Sequence, residues 1–77
     1  MYWPFKTTVK FRNDDGREIR LTYAVSAGDL IEAKCELERR FLSQEVFGYT
    51  IEQIVAATKQ EATIFNLPAR CIQLLGY

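Results

Sequence analysis

The sequence predicts an α+β fold: an N-terminal antiparallel β-hairpin, a long amphipathic helix, and one or two shorter C-terminal helices. Three observations carry that expectation. Apolar and polar residues alternate with period two from Phe5 to Val25, on both sides of Asp14-Asp15-Gly16. Behind Ser26, apolar residues recur at three- and four-residue intervals as far as Gln44. Beyond Gly48 the helical spacing resumes, punctuated by Asn66, Pro68 and Gly76. With 77 residues in all, the expectation is a single small α+β domain spanning residues 1–77.

In the hairpin, side-chain parity must match across the two strands, and this fixes the register. Phe5, Val9, Phe11, Ile19, Leu21, Tyr23 and Val25 fall on one face. The other face takes Lys6, Thr8, Lys10, Arg12, Glu18, Arg20 and Thr22. A consistent pairing sets Phe11 opposite Ile19, Val9 opposite Leu21 and Phe5 opposite Val25. Asn13 then faces Arg17 around a three-residue loop, in which Gly16 supplies the positive φ such loops require. The same register sets Arg12 against Glu18 and places the like charges Lys10 and Arg20 opposite each other.

The helix is expected from about Ala27 to Gln44. Ser26 stands as its N-cap with Asp29 three residues on. Leu30, Ala33, Leu37 and Phe41 form one apolar stripe, and Ile31, Cys35 and Leu42 form a second, with Lys34 and Glu38 between them. An arc this broad predicts packing against the hairpin on one flank and the C-terminal third on the other. Thr50-Ile51-Glu52-Gln53 reads as a second capping box, opening a helix from Ile51 to about Gln60 or beyond. Ala69 to Leu75 reads as a last short helix. The competing reading places a third strand within residues 51–65, since an isolated hairpin is marginal in water.

Composition narrows the function classes. Ten basic and ten acidic residues give zero formal net charge, so no global field holds nucleic acid or an acidic membrane. The charge is unevenly placed: residues 1–25 hold five cations against three acids, and residues 26–48 hold three against five. No targeting signal and no membrane-spanning apolar run is visible, so no membrane partner is expected. Cys35 and Cys71 each lie within an apolar pattern and are expected as buried free thiols, with the cytoplasm as the default location.

The chain has no histidine, which removes the commonest general base and metal ligand. Its four glycines are scattered rather than gathered into a phosphate loop. Asp14-Asp15-Gly16-Arg17-Glu18 lacks the spacing of a calcium loop and reads as a turn. The expectation is therefore a non-enzymatic protein with no catalytic residues, cofactor or metal.

Two binding readings remain. The favoured one is protein–protein interaction, motivated by ten aromatic residues in so short a chain. Tyr2, Trp3 and one of Tyr49 or Tyr77 are candidates to stay accessible and anchor a partner. The alternative is nucleic-acid or ribosome contact through Lys6, Lys10, Arg12, Arg17 and Arg20, which is not favoured because the hairpin aromatics share the opposite face. A helix-turn-helix in residues 50–77 is disfavoured by Lys59 where a turn glycine is usual and by Pro68. A homodimer through the hairpin edge is a further alternative. The sequence itself names no biochemical activity.

In overall style, and especially in Tyr49-Thr50-Ile51-Glu52-Gln53-Ile54-Val55-Ala56 and Leu67-Pro68-Ala69-Arg70, the chain resembles small uncharacterised proteins of cyanobacterial genomes. The resemblance implies an intracellular protein and transfers no activity or site residue.

Overall fold

Asn13 organises the hairpin turn. Its side-chain carbonyl accepts from the Asp15 and Arg17 backbone amides at 3.0 and 2.9 Å, and Gly16 takes φ 79°. Two ten-residue strands follow from it, β1 (Trp3–Arg12) and β2 (Glu18–Ala27). Phe11 pairs with Ile19, Val9 with Leu21, Lys10 with Arg20 and Phe5 with Val25, the register that side-chain parity demands.

The computed structural model describes residues 2–76, so Tyr77 lies outside the described residues. After the hairpin come α1 (Leu30–Ser43), β3 (Tyr49–Ala56), α2 (Lys59–Phe65) and β4 (Ile72–Gly76). All four strands form one antiparallel sheet in the order β3-β1-β2-β4. This corrects the expected architecture of a lone hairpin with a long helix and C-terminal helices. The segments expected as those C-terminal helices are mostly strand, and the main helix has 14 residues.

The local reasons can be traced. Thr8 faces Gln53 and Val9 faces Ile51, so Glu52 is the extra residue of a β-bulge. The bulge makes Tyr49, Ile51 and Ile54 the residues that pack on the core, at intervals of two and three. A three-residue interval imitates a helix, whereas Tyr, Thr, Ile and Val are strand formers. The capping box of this region sits later, between Thr58 and Glu61, and opens α2. In 69–75, Arg70 takes φ 62°, a left-handed conformation that no helix interior accepts, and β4 begins two residues on.

At the start of α1, Ser26 is buried in the sheet, where its N–H donates to the Cys71 carbonyl at 2.9 Å. Asp29 is the N-cap instead and accepts from the Glu32 amide at 2.7 Å. At the other end, Glu45 N–H bonds to Leu42 O and Val46 N–H to Phe41 O, a Schellman closure with Glu45 in the left-handed position. Gly48 lies after this stop, at the entry to β3.

The main core lies between the sheet and α1. Ala33, Leu37 and Phe41, at four-residue intervals, are the buried residues of the helix, and they meet Phe5, Val9, Val25 and Ala27. Phe41 reaches aromatic rings on three strands: Phe11 at 5.5 Å, Tyr23 at 5.7 Å and Tyr49 at 4.6 Å between centroids. Burial there pushes the Tyr23 phenol up from its ordinary pKa. Helix α2 sits on the opposite side of the sheet, where Glu61 pairs with Lys6. Ala24, cross-strand from Lys6 on that outer side, is fully buried yet outside the main core cluster.

Two stability predictions follow from this packing. Leu37 has no exposed surface, so Leu37→Ala is expected to cost about 2–5 kcal/mol in denaturant unfolding. The Thr7 hydroxyl is buried on the core side without a hydrogen-bond partner. Thr7→Val is therefore expected to raise stability by about 1 kcal/mol, and an unchanged or lower unfolding midpoint would refute that reading.

Candidate functional site

The residues singled out by the sequence separate into two groups. Tyr2 and Trp3 are tied to their own chain. The Trp3 indole N–H donates to the Ala57 carbonyl at 2.8 Å while the ring packs on the core. The Tyr2 hydroxyl accepts from Arg70 Nε at 3.2 Å, and this bond holds the Arg70 guanidinium pKa above its ordinary value. Trp3 thus closes the open end of the core, and Tyr2, though 41% exposed, tethers the segment leading into β4.

Lys6, Lys10, Arg12 and Arg20 stand on the outer side of the sheet, but in company that the sequence reading did not foresee. Glu18 lies 3.2 Å from Arg12 and 3.9 Å from Lys10. Arg20 Nε donates across β1 to Glu52 Oε1 at 2.8 Å, and Lys6 pairs with Glu61. The Arg12 hydrogen bond, reinforced by Lys10, pulls the Glu18 carboxyl below its ordinary pKa, and Glu52 lifts Arg20. Glu61 is lowered first by Lys6 and then by the Thr58 backbone amide. Three carboxylates thus answer four cations, and the face is a mixed-charge mosaic. Arg17 stands apart at the exposed hairpin tip. Glu52 and Glu61 are not legible as partners because the segment from Ile51 to about Gln60 or beyond reads as a separate helix; their placement depends on the bulge and on the seat of α2.

Two shallow concavities border these features. One, of about 590 Å³, is lined by Lys10, Arg12, Asn13, Gly48, Tyr49 and Thr50 at the turn end of β1 and β3. Its two cations are the pair already engaged by Glu18. The other, of about 220 Å³, lies between the last turns of α1 and the start of β4, with Arg39, Arg40, Arg70 and Glu36 around it. Among the described residues, no group of three or more His, Cys, Asp or Glu could hold a metal ion. No helix there is long and apolar enough to cross a membrane.

The largest departure from expectation is on α1. The second stripe does not pack against the C-terminal third. Ile31 is 76% and Leu42 66% exposed, and Cys35 between them is exposed as well. At 100° per residue these three cluster about 240° around the helix, whereas Ala33, Leu37 and Phe41 cluster about 100°. The apolar stripe therefore lies on the side of α1 turned away from the sheet. Cys71 is half-buried at the entry to β4, so neither thiol is the fully buried hydrophobe expected. The edges of the hairpin are also largely taken: β3 covers β1, and β4 covers β2 from Thr22 to Val25. Among the described residues, β4 leaves Glu18 to Leu21 of β2 uncovered for a dimer through the hairpin edge.

Comparison with protein-family models, with curated proteins and with solved structures gives no match to this chain.

The ion pairs make a pH prediction. Glu61 has a folded-state pKa below the ordinary 4.5, so it stabilises the folded protein above that value. The contribution is lost as the pH falls through the lowered folded pKa. Glu61→Gln is expected to lower the melting midpoint at pH 7 and to flatten its decline below pH 4.5. Identical wild-type and variant profiles would show that the pair with Lys6 does not hold α2.

Proposed function

We propose that this chain is a small, non-enzymatic protein–protein interaction module of the cytoplasm that binds through the solvent side of α1. The observation that carries the proposal is the stripe Ile31, Cys35 and Leu42, placed opposite the buried side of the helix. A helix that needs only to cover a sheet has no use for apolar residues on its far side. The ion pairs on the outer sheet support the same reading. A phosphate backbone approaching Lys6, Lys10, Arg12 and Arg20 would compete with Glu18, Glu52 and Glu61 for each cation. An exposed free Cys35 suits a reducing compartment.

The test compares proteins retained by the immobilised wild-type chain and by an Ile31→Asp/Leu42→Asp variant, with the chain itself counted among possible partners. Both positions are mostly exposed, so the variant is expected to keep its cooperative melting transition. Retention of a defined partner by the wild type, and its loss from the folded variant, is the expected result. Equal retention by both, or retention of short RNA and DNA oligomers reversed by salt, would overturn the assignment of the surface.

A further inference from the structure

We propose that the occupant of the α1 stripe is a second copy of this chain, packed antiparallel on α1 through a two-fold axis near Glu36 and Leu37. This rests on the interaction reading above and names its partner. Ile31, Cys35 and Leu42 fill three positions of a four-three-four spacing, the interval of a helix–helix seam, and Glu38 takes the remaining position at the edge of the seam on the Lys34 side. Placing the axis midway between Glu36 and Leu37 sets Ile31 of each copy opposite Leu42 of the other. It also sets Cys35 opposite Glu38, so the two long apolar side chains meet at both ends of the seam.

Charge on the flank selects this direction. Lys34 and Glu38 lie together on one side of the stripe, both are exposed, and neither forms an ion pair within the described residues. Within one helix they stand in the less favourable order, with the cation N-terminal to the acid. In the antiparallel pair, Lys34 of one copy comes within about one residue's rise (~1.5 Å along the axis) of the level of Glu38 in the other. The two-fold repeats the contact, so two ion pairs flank the seam. A parallel pair would instead set the seam residues Cys35 beside Cys35 and Glu38 beside Glu38, and would turn Lys34 to the flank away from the partner's Glu38. The outermost position of α1, with the sheet on its other side, leaves two sheets outside and two helices between them.

The test is sedimentation equilibrium of the purified, reduced chain from micromolar to millimolar concentration, with four variants. Wild type is expected to dimerise, and Ile31→Asp to weaken the dimer by at least about a hundredfold, since the change occurs twice per dimer. Lys34→Glu and Glu38→Lys are each expected to weaken it about tenfold, and the double reversal to restore it. Amide NMR spectra of the monomeric variants should match that of dilute wild type.

A wild type that stays monomeric to millimolar concentration overturns self-association. If stripe-dependent retention of another protein persists in that case, the interaction reading stands without the dimer; if nothing is retained, both fall. A dimer unchanged by Ile31→Asp overturns the α1 seam and locates the contact elsewhere, such as the uncharged edge strand β4. Failure of the double reversal to restore affinity overturns the antiparallel arrangement.

Discussion

One helix must cover one face of a four-stranded sheet, and most of the structure depends on how it does so. Within α1 only Ala33, Leu37 and Phe41 are fully withdrawn from water, a seam one residue wide per turn. So narrow a seam needs a large residue where the strands converge, and Phe41 supplies it by contacting rings from β1, β2 and β3 together. The Schellman closure follows directly after Phe41 and folds Val46 back against the same core. The helix therefore ends where its packing ends, and the chain enters β3 beside the strand it must pair with.

The two faces of the sheet are handled differently. On the α1 side the contacts are apolar and aromatic. On the outer side α2 occupies only one end, anchored by its capping box and by Glu61 on Lys6. The remainder is finished by ion pairs that run along and across the strands. Exposed pairs of this kind add little stability individually. Together they leave a surface of mixed charge.

Legibility in the sequence divided along the range of the interactions. The hairpin could be read to the residue, because its register needs only side-chain parity and the local turn at Asn13 and Gly16. The core stripe of α1 was legible for the same reason, although Leu30 proved half-exposed and Ser26 belonged to the sheet. β3 and β4 were obscured. The bulge at Glu52 replaces alternation with a three-residue interval, and β4 has only five residues. Strands of this kind are defined by partners far away in the chain, which a local pattern does not contain. The candidate surfaces fared likewise. The cations were visible one by one, but the acids that neutralise them lie on elements whose positions depend on long-range pairing. Ile31, Cys35 and Leu42 were seen as an apolar stripe and assigned to the interior, because sequence gives the angle of a stripe and not what lies beyond it.

The strand order β3-β1-β2-β4 also sets the order in which the sheet can be completed during synthesis. The hairpin, made first, is its centre, and both flanking strands come from residues 49–76. While only the first 48 residues have emerged, the hairpin and α1 can associate, but β1 and β2 each present a ten-residue row of backbone donors and acceptors on their outer sides. The sheet grows outward from its middle, and its edges are open for as long as the last third of the chain is still being made. The growing polypeptide is thus most exposed to unwanted strand pairing after α1 has emerged and before β3 has.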